Sequence, residues 1–347
     1  MTMLRMTAKT ALMTMHNYKS LEFSELCERL AQPLRTLIIF HDRPDGDAVG
    51  SAFGLRALLS ALGSEARCIC SSEVPRRYSF AVSDARDSVL PENIPSSFVP
   101  ERVISVDTAA AGQMRDLEGR IPWRVDIMID HHAKGEPYAD HYVDGGAAAC
   151  GEIIYDIAKY FVENGAIKTL PNGFSLLTYM AIATDTGCFK YSNTTSDTHR
   201  RIAQLMDGSF DYADVNFRLF DARSPEELKV SSLAMQNMRF YFDGRLAVAA
   251  VDYSQVEALG VEPEYYDALI NAARSVEGVE VAVSVRRMTE KSDFRVSTRS
   301  NADADVSVLC TVFGGGGHAK AAGCSINAET LEQAVEMIVR EAEKILN

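Results

Sequence analysis

Three potential metal ligands lie in one short turn of the chain. His41, Asp45 and Asp47 fall within seven residues, with Pro44 and Gly46 between them. Carboxylate oxygens and imidazole nitrogens are ligands that proteins use for divalent cations such as manganese and zinc. Asp and Gly are also ordinary residues of solvent-exposed turns, so this turn by itself leaves both interpretations open.

Residues of the same chemical types follow three further apolar segments. One Asp or His in such a position is usually a helix cap or a surface group. Several clusters with the same placement favour a shared site instead. The residues are Asp107, Asp130, His131, His132 and Asp185, and the segments before them are 102–106, 125–129 and 176–183.

The turn at His41 lies between a predicted strand and a predicted helix. Residues 36–40 are apolar and rich in β-branched side chains, and residues 48–62 carry apolar residues at helical spacing. In an open parallel sheet, ligands bind at the turns that follow the carboxyl ends of the strands. We therefore expect the potential ligands to converge along one edge of a doubly wound sheet.

Charge balance then indicates what such a site would hold. Carboxylates in close contact cannot all stay ionised without cations, because each raises the pKa of its neighbours. Two divalent ions would balance the charges of Asp45, Asp47, Asp107 and Asp185, and Asp107, at the end of the middle strand, is predicted to bridge both ions. Oxygen and nitrogen ligation without thiolate suits Mn²⁺, with Co²⁺, Mg²⁺ and Zn²⁺ as alternatives. Two such ions about 3.5–4 Å apart activate water and bind phosphoryl oxygens during hydrolysis.

The chain is predicted to form two α/β domains. Residues 1–207 alternate strands and helices in the manner of a doubly wound parallel sheet, residues 208–240 form a helical linker, and residues 241–347 form a smaller α/β domain. The first fifteen residues are expected to be a frayed terminus. The predicted strands are 36–40, 66–70, 102–106, 125–129, 246–251, 279–287 and 294–298. The predicted helices are 48–62, 148–164, 174–183, 197–207 (with Ser196 as N-cap), 265–274, 305–312 and 329–346.

Composition excludes several classes of partner. The chain has 347 residues and a net charge of −13, which argues against the neutralisation of phosphates that binding to long nucleic acid requires. No apolar run is long enough to span a bilayer, so no membrane partner is expected. The seven cysteines have no paired metal-binding spacing and indicate a reducing cytoplasm.

The sign of the charge reverses locally in the second domain. Because side chains alternate along a strand, Arg295, Ser297 and Arg299 are predicted to share one face and to bind a terminal phosphate. A solvated sheet face is the alternative. The basic residues of this segment are Arg286, Arg287, Lys291, Arg295 and Arg299, against Glu290 and Asp293.

A run of four glycines, 314–317, lies between two predicted elements of the second domain and is followed by His318 and Lys320. Successive backbone N–H groups of Gly315, Gly316 and Gly317 could surround a phosphate or carboxylate. A flexible hinge or a tight turn is the alternative interpretation.

Together these motifs resemble those of the DHH phosphoesterases. The resemblance in the first domain is carried by residues 41–48, Asp107, Asp130-His131-His132 and Asp185. The glycine run, with His318 and Ala321-Ala322-Gly323, resembles the glycine-rich motif of the associated DHHA1 domain. Within the family, the set is similar to the bifunctional oligoribonucleases and PAP phosphatases, also called nanoRNases.

The resemblance implies a Mn²⁺-dependent phosphoesterase with its active site in the cleft between two domains. It implies that His132 contacts the scissile phosphate and that Asp130 orients a histidine. The implied ligands are His41, Asp45 and Asp107 for one metal, and Asp47, Asp107, His131 and Asp185 for the other. The expected catalytic residues are Asp107, Asp130, His131 and His132. The expected substrate-binding residues are His132, Arg286, Arg295, Ser297, Arg299, Gly315, Gly316, Gly317 and His318.

We expect the activity to be 3′–5′ hydrolysis of short oligoribonucleotides, together with removal of the 3′-phosphate of adenosine 3′,5′-bisphosphate. Phosphodiester hydrolysis of linear or cyclic dinucleotides, such as pApA and cyclic di-AMP, is the alternative activity. A non-catalytic nucleotide-binding scaffold is an alternative of a different class. The expected partners are short oligoribonucleotides or small phosphorylated nucleotides, and a homodimer is left open.

Overall fold

The structure is a computed structural model that describes residues 18–82, 89–117, 119–287, 289–290 and 293–346. It divides the chain into two compact units, residues 1–222 and 223–347, and the division falls within the predicted linker. Within these described ranges, no helix combines the length and the apolar character that crossing a bilayer requires. Residues 1–15, predicted to be a frayed terminus, and Lys291 lie outside the described residues.

The first unit is built on a sheet of five parallel strands in the order β2-β1-β3-β4-β5. This confirms the predicted α/β class with a parallel sheet. The order places a switch point between β1 and β3, which is where sheets of this kind bind ligands. The strands are β1 (Thr36–Ile39), β2 (Ala66–Ile69), β3 (Arg102–Val106), β4 (Ile127–Asp130) and β5 (Asp140–Val143).

Helices cover one face of this sheet, where their apolar residues form a large core with those of the strands, and a smaller apolar cluster with Leu37, Ile39 and Phe98 lies on the other face. Their bounds are α1 (Phe23–Leu30), α2 (Gly46–Ala61), α3 (Cys150–Glu163), α4 (Phe174–Asp185), α5 (Ser196–Met206) and α6 (Tyr212–Asn216).

Helices α2 and α4 pack very closely because α2 has glycine where the two meet. A Cβ atom on Gly50 would lie 2.3 Å from the Leu177 carbonyl oxygen and 2.8 Å from the Ala181 Cβ. A Cβ on Gly46 would lie 2.4 Å from the Thr184 side chain. This close approach brings the start of α2, with its Asp residues, against the end of α4, where Asp185 lies.

The second unit has a six-stranded sheet in the order β10-β11-β9-β8-β7-β6, in which β7 and β8 run parallel and the other pairs antiparallel. Apolar clusters lie on its two faces, one with α10 and α11 and the other with α7 and α9. The strands are β6 (Met238–Tyr241), β7 (Leu246–Val251), β8 (Val281–Arg287), β9 (Phe294–Ser300), β10 (Gly316–His318) and β11 (Ala321–Ile326). The helices are α7 (Pro225–Gln236), α8 (Tyr253–Leu259), α9 (Asp267–Arg274), α10 (Val306–Val312) and α11 (Leu331–Leu346).

Some local predictions are wrong. The N-cap of α5 is Thr195 rather than Ser196. The Thr195 hydroxyl accepts a hydrogen bond from the Thr198 N–H at 3.1 Å, and the Thr198 hydroxyl accepts one from the Thr195 N–H at 3.1 Å. The end of the predicted helical linker is strand β6, which pairs with β7. Part of the glycine run is strand β10, which pairs with β11 as an antiparallel hairpin.

Candidate metal centre

The turn between β1 and α2 places His41 and Asp45 at the carboxyl edge of the sheet. Asp45 caps α2, because its Oδ1 accepts hydrogen bonds from the N–H groups of Asp47 and Ala48, both at 3.0 Å. The His41 Nδ1 lies 2.8 Å from the Asp42 carbonyl oxygen. Since a carbonyl oxygen can only accept, the neutral ring carries its proton on Nδ1, which leaves the Nε2 lone pair free for a cation.

Asp47 is fully buried and held by the start of α3. Its Oδ2 accepts from the Cys150 N–H at 2.6 Å, and its Oδ1 accepts from the Gly151 N–H at 2.9 Å and from the Ser51 hydroxyl at 2.8 Å. Burial, together with the charges of Asp185 and Asp45, raises the pKa of Asp47 well above its usual range. The carboxylate is therefore precisely oriented but lacks a positive partner among the described residues.

Asp107 lies at the centre of the cluster, directly after β3. Its backbone is in the left-handed region, with φ at 51°, and the residue is 2% exposed. Its Oδ2 lies 3.8 Å from the His41 Nε2, and its Oδ1 lies 3.6 Å from the His131 Nε2. The buried Oδ1 has no hydrogen-bond partner within the described part of the chain. Burial and the charges of Asp47 and Asp45 raise the pKa of Asp107 well above its usual range.

His131 joins the other carboxylates. Its Nε2 lies 3.4 Å from the Asp185 Oδ2 and 3.7 Å from the Asp47 Oδ2. Its Nδ1 lies 3.3 Å from the Ala147 carbonyl oxygen, which again assigns the proton of the neutral ring to Nδ1. Burial and the neighbouring His132 lower the pKa of His131, so the ring stays neutral and able to coordinate a cation.

Asp130 and His132 form a second pair beside this cluster. The Asp130 Oδ1 accepts from the His131 N–H at 2.8 Å and from the His132 Nδ1 at 2.8 Å. Asp130 is fully buried, whereas the His132 side chain is 44% exposed. The hydrogen bond to Asp130 raises the pKa of His132. The arrangement therefore presents an oriented imidazole, and among the described residues no hydrogen bond engages its Nε2.

The donor set fits divalent cations. His41, Asp45 and Asp107 form one group, and Asp47, His131 and Asp185 form another; within each group the potential ligand atoms lie within 4.8 Å of one another. Asp107 faces histidines of both groups, and its partnerless Oδ1 is the kind of buried polar atom that a bound ion would satisfy. The structure thus brings together all six residues that the sequence predicts as ligands.

The residues of the predicted phosphate-binding row share one face of the sheet in the second unit, and their role in binding phosphate stays a prediction. Alternating burial along β9 places Arg295, Ser297 and Arg299 on one face, and the register sets Arg286 opposite Arg295. Arg286 lies over the ring of a buried tyrosine, with 5.0 Å from its Cζ to the ring centroid. Arg287 points to the opposite face, where it lies over the Phe294 ring and donates to a carbonyl oxygen.

The glycine hairpin differs from the predicted concave loop. Gly316 and Gly317 pair with β11, so part of their backbone belongs to the sheet, while His318 is exposed. A Cβ on Gly315 would lie 2.2 Å from the Gly323 carbonyl oxygen, so close packing against β11 explains this glycine. The substrate-binding role of Gly315, Gly316, Gly317 and His318 stays a prediction.

Sequence reasoning missed two residues that hold the ligands in place. Ser51, which donates to Asp47, lies one helical turn after it on α2, and that spacing is visible in the sequence. Asn193 donates through Nδ2 to the carbonyl oxygens of Ala148 at 3.0 Å and Asp185 at 3.2 Å. It lies in a polar loop, and no pattern in the sequence points to it.

Comparisons with known proteins agree with this architecture. The chain matches the model of the DHH family, N-terminal domain, over residues 35–184, and that of the DHHA1 domain over residues 243–344. It is 30% identical to the bifunctional oligoribonuclease and PAP phosphatase NrnA of Thermus thermophilus, over 87% of each chain. It is 28% identical to the protein of the same name from Bacillus subtilis, over 82% of this chain and 87% of that one.

A solved structure shows the same fold at lower identity. The crystal structure of an exopolyphosphatase-related protein from Bacteroides fragilis covers 93% of this chain and 96% of its own, with a TM-score of 0.81 at 21% identity. The family match in the first unit ends at residue 184 and so stops one residue before Asp185, which the structure nevertheless places beside the other ligands.

Proposed function

The chain belongs to the DHH family of phosphoesterases, and on that basis we propose that it hydrolyses short oligoribonucleotides and removes the 3′-phosphate of adenosine 3′,5′-bisphosphate. The family and its relatives make the chain a phosphoric ester hydrolase. The observation that carries the finer proposal is the convergence of the six ligands around Asp107, whose two oxygens face His41 and His131.

We propose two divalent cations, with Mn²⁺ preferred. One would be held by His41, Asp45 and Asp107, and the other by Asp47, Asp107, His131 and Asp185. Bound there, the ions would supply a water of lowered pKa and ligands for phosphoryl oxygens. The chain itself supplies the orientation: the N–H groups at the start of α3 hold Asp47, and the carbonyl oxygens of Asp42 and Ala147 set the ring protons of the two histidines.

His132 is proposed to bind the scissile phosphate. Asp130 accepts from its Nδ1 and favours the protonated ring, so Nε2–H can donate to a phosphoryl oxygen. Such a bond is worth more as negative charge develops on that oxygen during the reaction, which is how a preoriented donor lowers a barrier. His132 thus complements the metal ligands without itself holding an ion.

The substrate class follows from the charge of the chain. The net charge of −13 disfavours long nucleic acid, whereas the face of β9 that bears Arg295 and Arg299 is suited to a single phosphate. We therefore propose that this face, with Arg286 and Ser297, binds a phosphate of a short substrate. From the cysteine content we also propose a cytoplasmic location.

The test is product analysis with purified protein and Mn²⁺. Labelled di- to pentaribonucleotides, a long single strand, adenosine 3′,5′-bisphosphate, pApA and cyclic di-AMP are compared side by side, with the label at either end to reveal polarity. We expect the short oligoribonucleotides and the bisphosphate to be processed fastest. Faster processing of the long strand would overturn the size argument, and a preference for cyclic di-AMP would favour the dinucleotide alternative.

A variant ties the activity to the centre. Asp107→Ala should abolish turnover of every substrate, because it removes the carboxylate that faces both groups of ligands. Activity within tenfold of the wild type would contradict the proposed bridging role. Glu163→Ala, an exposed change at the end of α3, serves as the control and should leave turnover unchanged.

A further inference from the structure

An exposed aromatic ring lies close to the metal centre in the chain, beyond the last ligand. Tyr191 follows Asp185 by six residues and is 47% exposed, although large aromatic side chains are usually well buried. Neighbouring residues hold the ring in this exposed position.

The segment that carries Tyr191 has an unusual backbone. Gly187, Cys188 and Phe189 all lie in the left-handed region, with φ of 55°, 58° and 63°. This conformation is unfavourable for residues with a Cβ, and consecutive residues rarely adopt it. Backbone strain of this kind persists only where the surrounding structure holds it, and it is concentrated at functional sites.

Hydrogen bonds hold the segment firmly to the end of α4. The N–H of Cys188 donates to the Ala183 carbonyl oxygen at 2.7 Å. The N–H groups of Lys190 and Tyr191 both donate to the Thr186 carbonyl oxygen, at 2.9 and 3.0 Å. The Asn193 side chain donates to the Asp185 carbonyl oxygen, so both ends of the segment are tied to the residues around that ligand.

The Tyr191 ring packs face-on against Gly187. A Cβ atom built on Gly187 would lie 2.3 Å from Cζ, 2.5 Å from Cε1 and 2.6 Å from Cε2 of the ring. These nearly equal distances place Gly187 over the face of the ring rather than at its edge. Because the residue is 47% exposed, part of the ring remains accessible to a ligand, and any side chain at residue 187 would displace the ring.

We propose that Tyr191 is a stacking platform for the nucleobase next to the phosphate under attack. Gly187 lies only two residues after Asp185, so its Cα is within about 7 Å of that of Asp185. A ring held on Gly187 is therefore within reach of the base of a nucleotide whose phosphate lies at the centre. Every base has a π-face, so stacking accommodates all four bases, as an exonuclease requires.

This inference rests on the proposed function but concerns a different property of the substrate. The metal ligands and His132 act on the phosphate, whereas Tyr191 would act on the base. Nucleotides should consequently bind better than the same sugar phosphate without its base, and Tyr191 should account for the difference. A tyrosine that merely supports the fold would not produce this selectivity.

The test compares AMP with ribose 5-phosphate, which differ by the base. Binding of each to the Mn²⁺-loaded full chain is measured by titration calorimetry for the wild type, Tyr191→Ala and Tyr191→Phe. We expect Tyr191→Ala to weaken AMP binding by about tenfold, in line with the loss of one base–aromatic stack, and to leave ribose 5-phosphate unchanged. Tyr191→Phe should retain the preference for AMP, because the ring is kept.

Tyr212→Ala is the matched control, since Tyr212 is 46% exposed on α6 and follows a different segment. An equal loss for both ligands in Tyr191→Ala, or no loss for AMP, would overturn the inference. Because binding is measured without turnover, the result also stands apart from the proposed activity. A wild type that hydrolyses no oligoribonucleotide but binds AMP through Tyr191 would overturn the proposed function alone.

Discussion

At the scale of single residues, orientation distinguishes this cluster from a collection of acidic groups. Two of the three histidines beside Asp107, His41 and His131, have Nδ1 against a backbone carbonyl oxygen, so both present Nε2 to the carboxylates. Asp47 is held by two N–H groups of α3 and a serine hydroxyl. The hydrogen-bond partners that orient these side chains therefore belong to the site as much as the side chains themselves.

Asn193→Ala tests this support. The change removes the two hydrogen bonds that Asn193 donates to the carbonyl oxygens of Asp185 and Ala148. Asp185 should therefore lose its fixed position relative to the start of α3. We expect Mn²⁺ affinity to fall by roughly tenfold to a hundredfold, the usual cost of losing such a supporting residue. Titration calorimetry with Mn²⁺ measures the effect.

The matched control is Asn164→Ala, because Asn164 donates through the same atom to a carbonyl oxygen at the end of α3. It should leave the affinity for Mn²⁺ unchanged. Equal Mn²⁺ affinity in the two variants would show that Asn193 does not position Asp185.

At the scale of elements, the site depends on how closely two helices approach. Gly46 and Gly50 let α2 lie against α4, and this contact sets the separation between Asp47 and Asp185. Neither helix carries a proposed metal ligand at its middle; both contribute potential ligands from the ends that the contact aligns. The packing of α2 on α4 therefore belongs to the candidate metal centre.

Gly50→Ala tests the contact. The new Cβ would lie 2.3 Å from a backbone oxygen of α4, which cannot move aside independently, so the helices must separate. We expect a loss of roughly 1–3 kcal/mol in the free energy of unfolding, as for other overpacked cores, and a smaller stabilisation by Mn²⁺. Chemical denaturation with and without Mn²⁺ measures both.

Gly54→Ala, one turn further along α2, is the control. Its nearest neighbour would be the Thr178 hydroxyl at 3.3 Å, and alanine favours a helix more than glycine by up to about 1 kcal/mol. We expect stability close to that of the wild type or above it. A cost equal to that of Gly50→Ala would mean that the close approach at Gly50 is not the cause.

The elements that the sequence predicts are those with a strong local signal. Strand β1 and strand β7 are continuous apolar runs, and α7 begins at a capping box, so their positions follow from residue types. Strand β5 and helix α1 escaped prediction. β5 is a short, half-exposed edge strand with Asp140 and His141, whose pairing depends on β4 rather than on its own sequence.

The same distinction applies to the site. Residue types after strand ends predicted which carboxylates and imidazoles converge, because parallel strands bring their carboxyl ends to one edge. Asn193 and the left-handed segment that carries Tyr191 depend on contacts formed only in the folded chain, so no local pattern revealed them. Gly316 and Gly317 pair with β11, and a Cβ on Gly315 or Gly317 would collide with that strand, so these glycines have a structural role that the sequence did not reveal; their role in substrate binding stays a prediction.

At the scale of the whole molecule, the charge of the centre controls stability. The chain has a net charge of −13, and part of this negative charge is concentrated in the carboxylates of the centre. Burial and the nearby Asp45 raise the pKa of Asp185 to about 6, and Asp47 and Asp107 are raised as well. The metal-free fold therefore holds protons that the unfolded chain would release.

Stability of the metal-free protein should consequently fall as the pH rises. Asp185 has a pKa near 4 in the unfolded chain and about 6 in the folded one, so between these values the folded state binds more protons and loses stability with increasing pH. Mn²⁺ replaces those protons and should stabilise more at pH 7.5 than at pH 5. Thermal unfolding in EDTA and in Mn²⁺ across this range measures the trend, with Asp185→Asn as the comparison.

The Asp185→Asn variant should show a weaker decline of stability with pH in EDTA and a smaller gain from Mn²⁺, since its side chain neither titrates nor contributes a charge. A metal-free protein that becomes more stable from pH 5 to pH 7.5 would contradict this picture, because the clustered carboxylates would then need no cation to share the pocket.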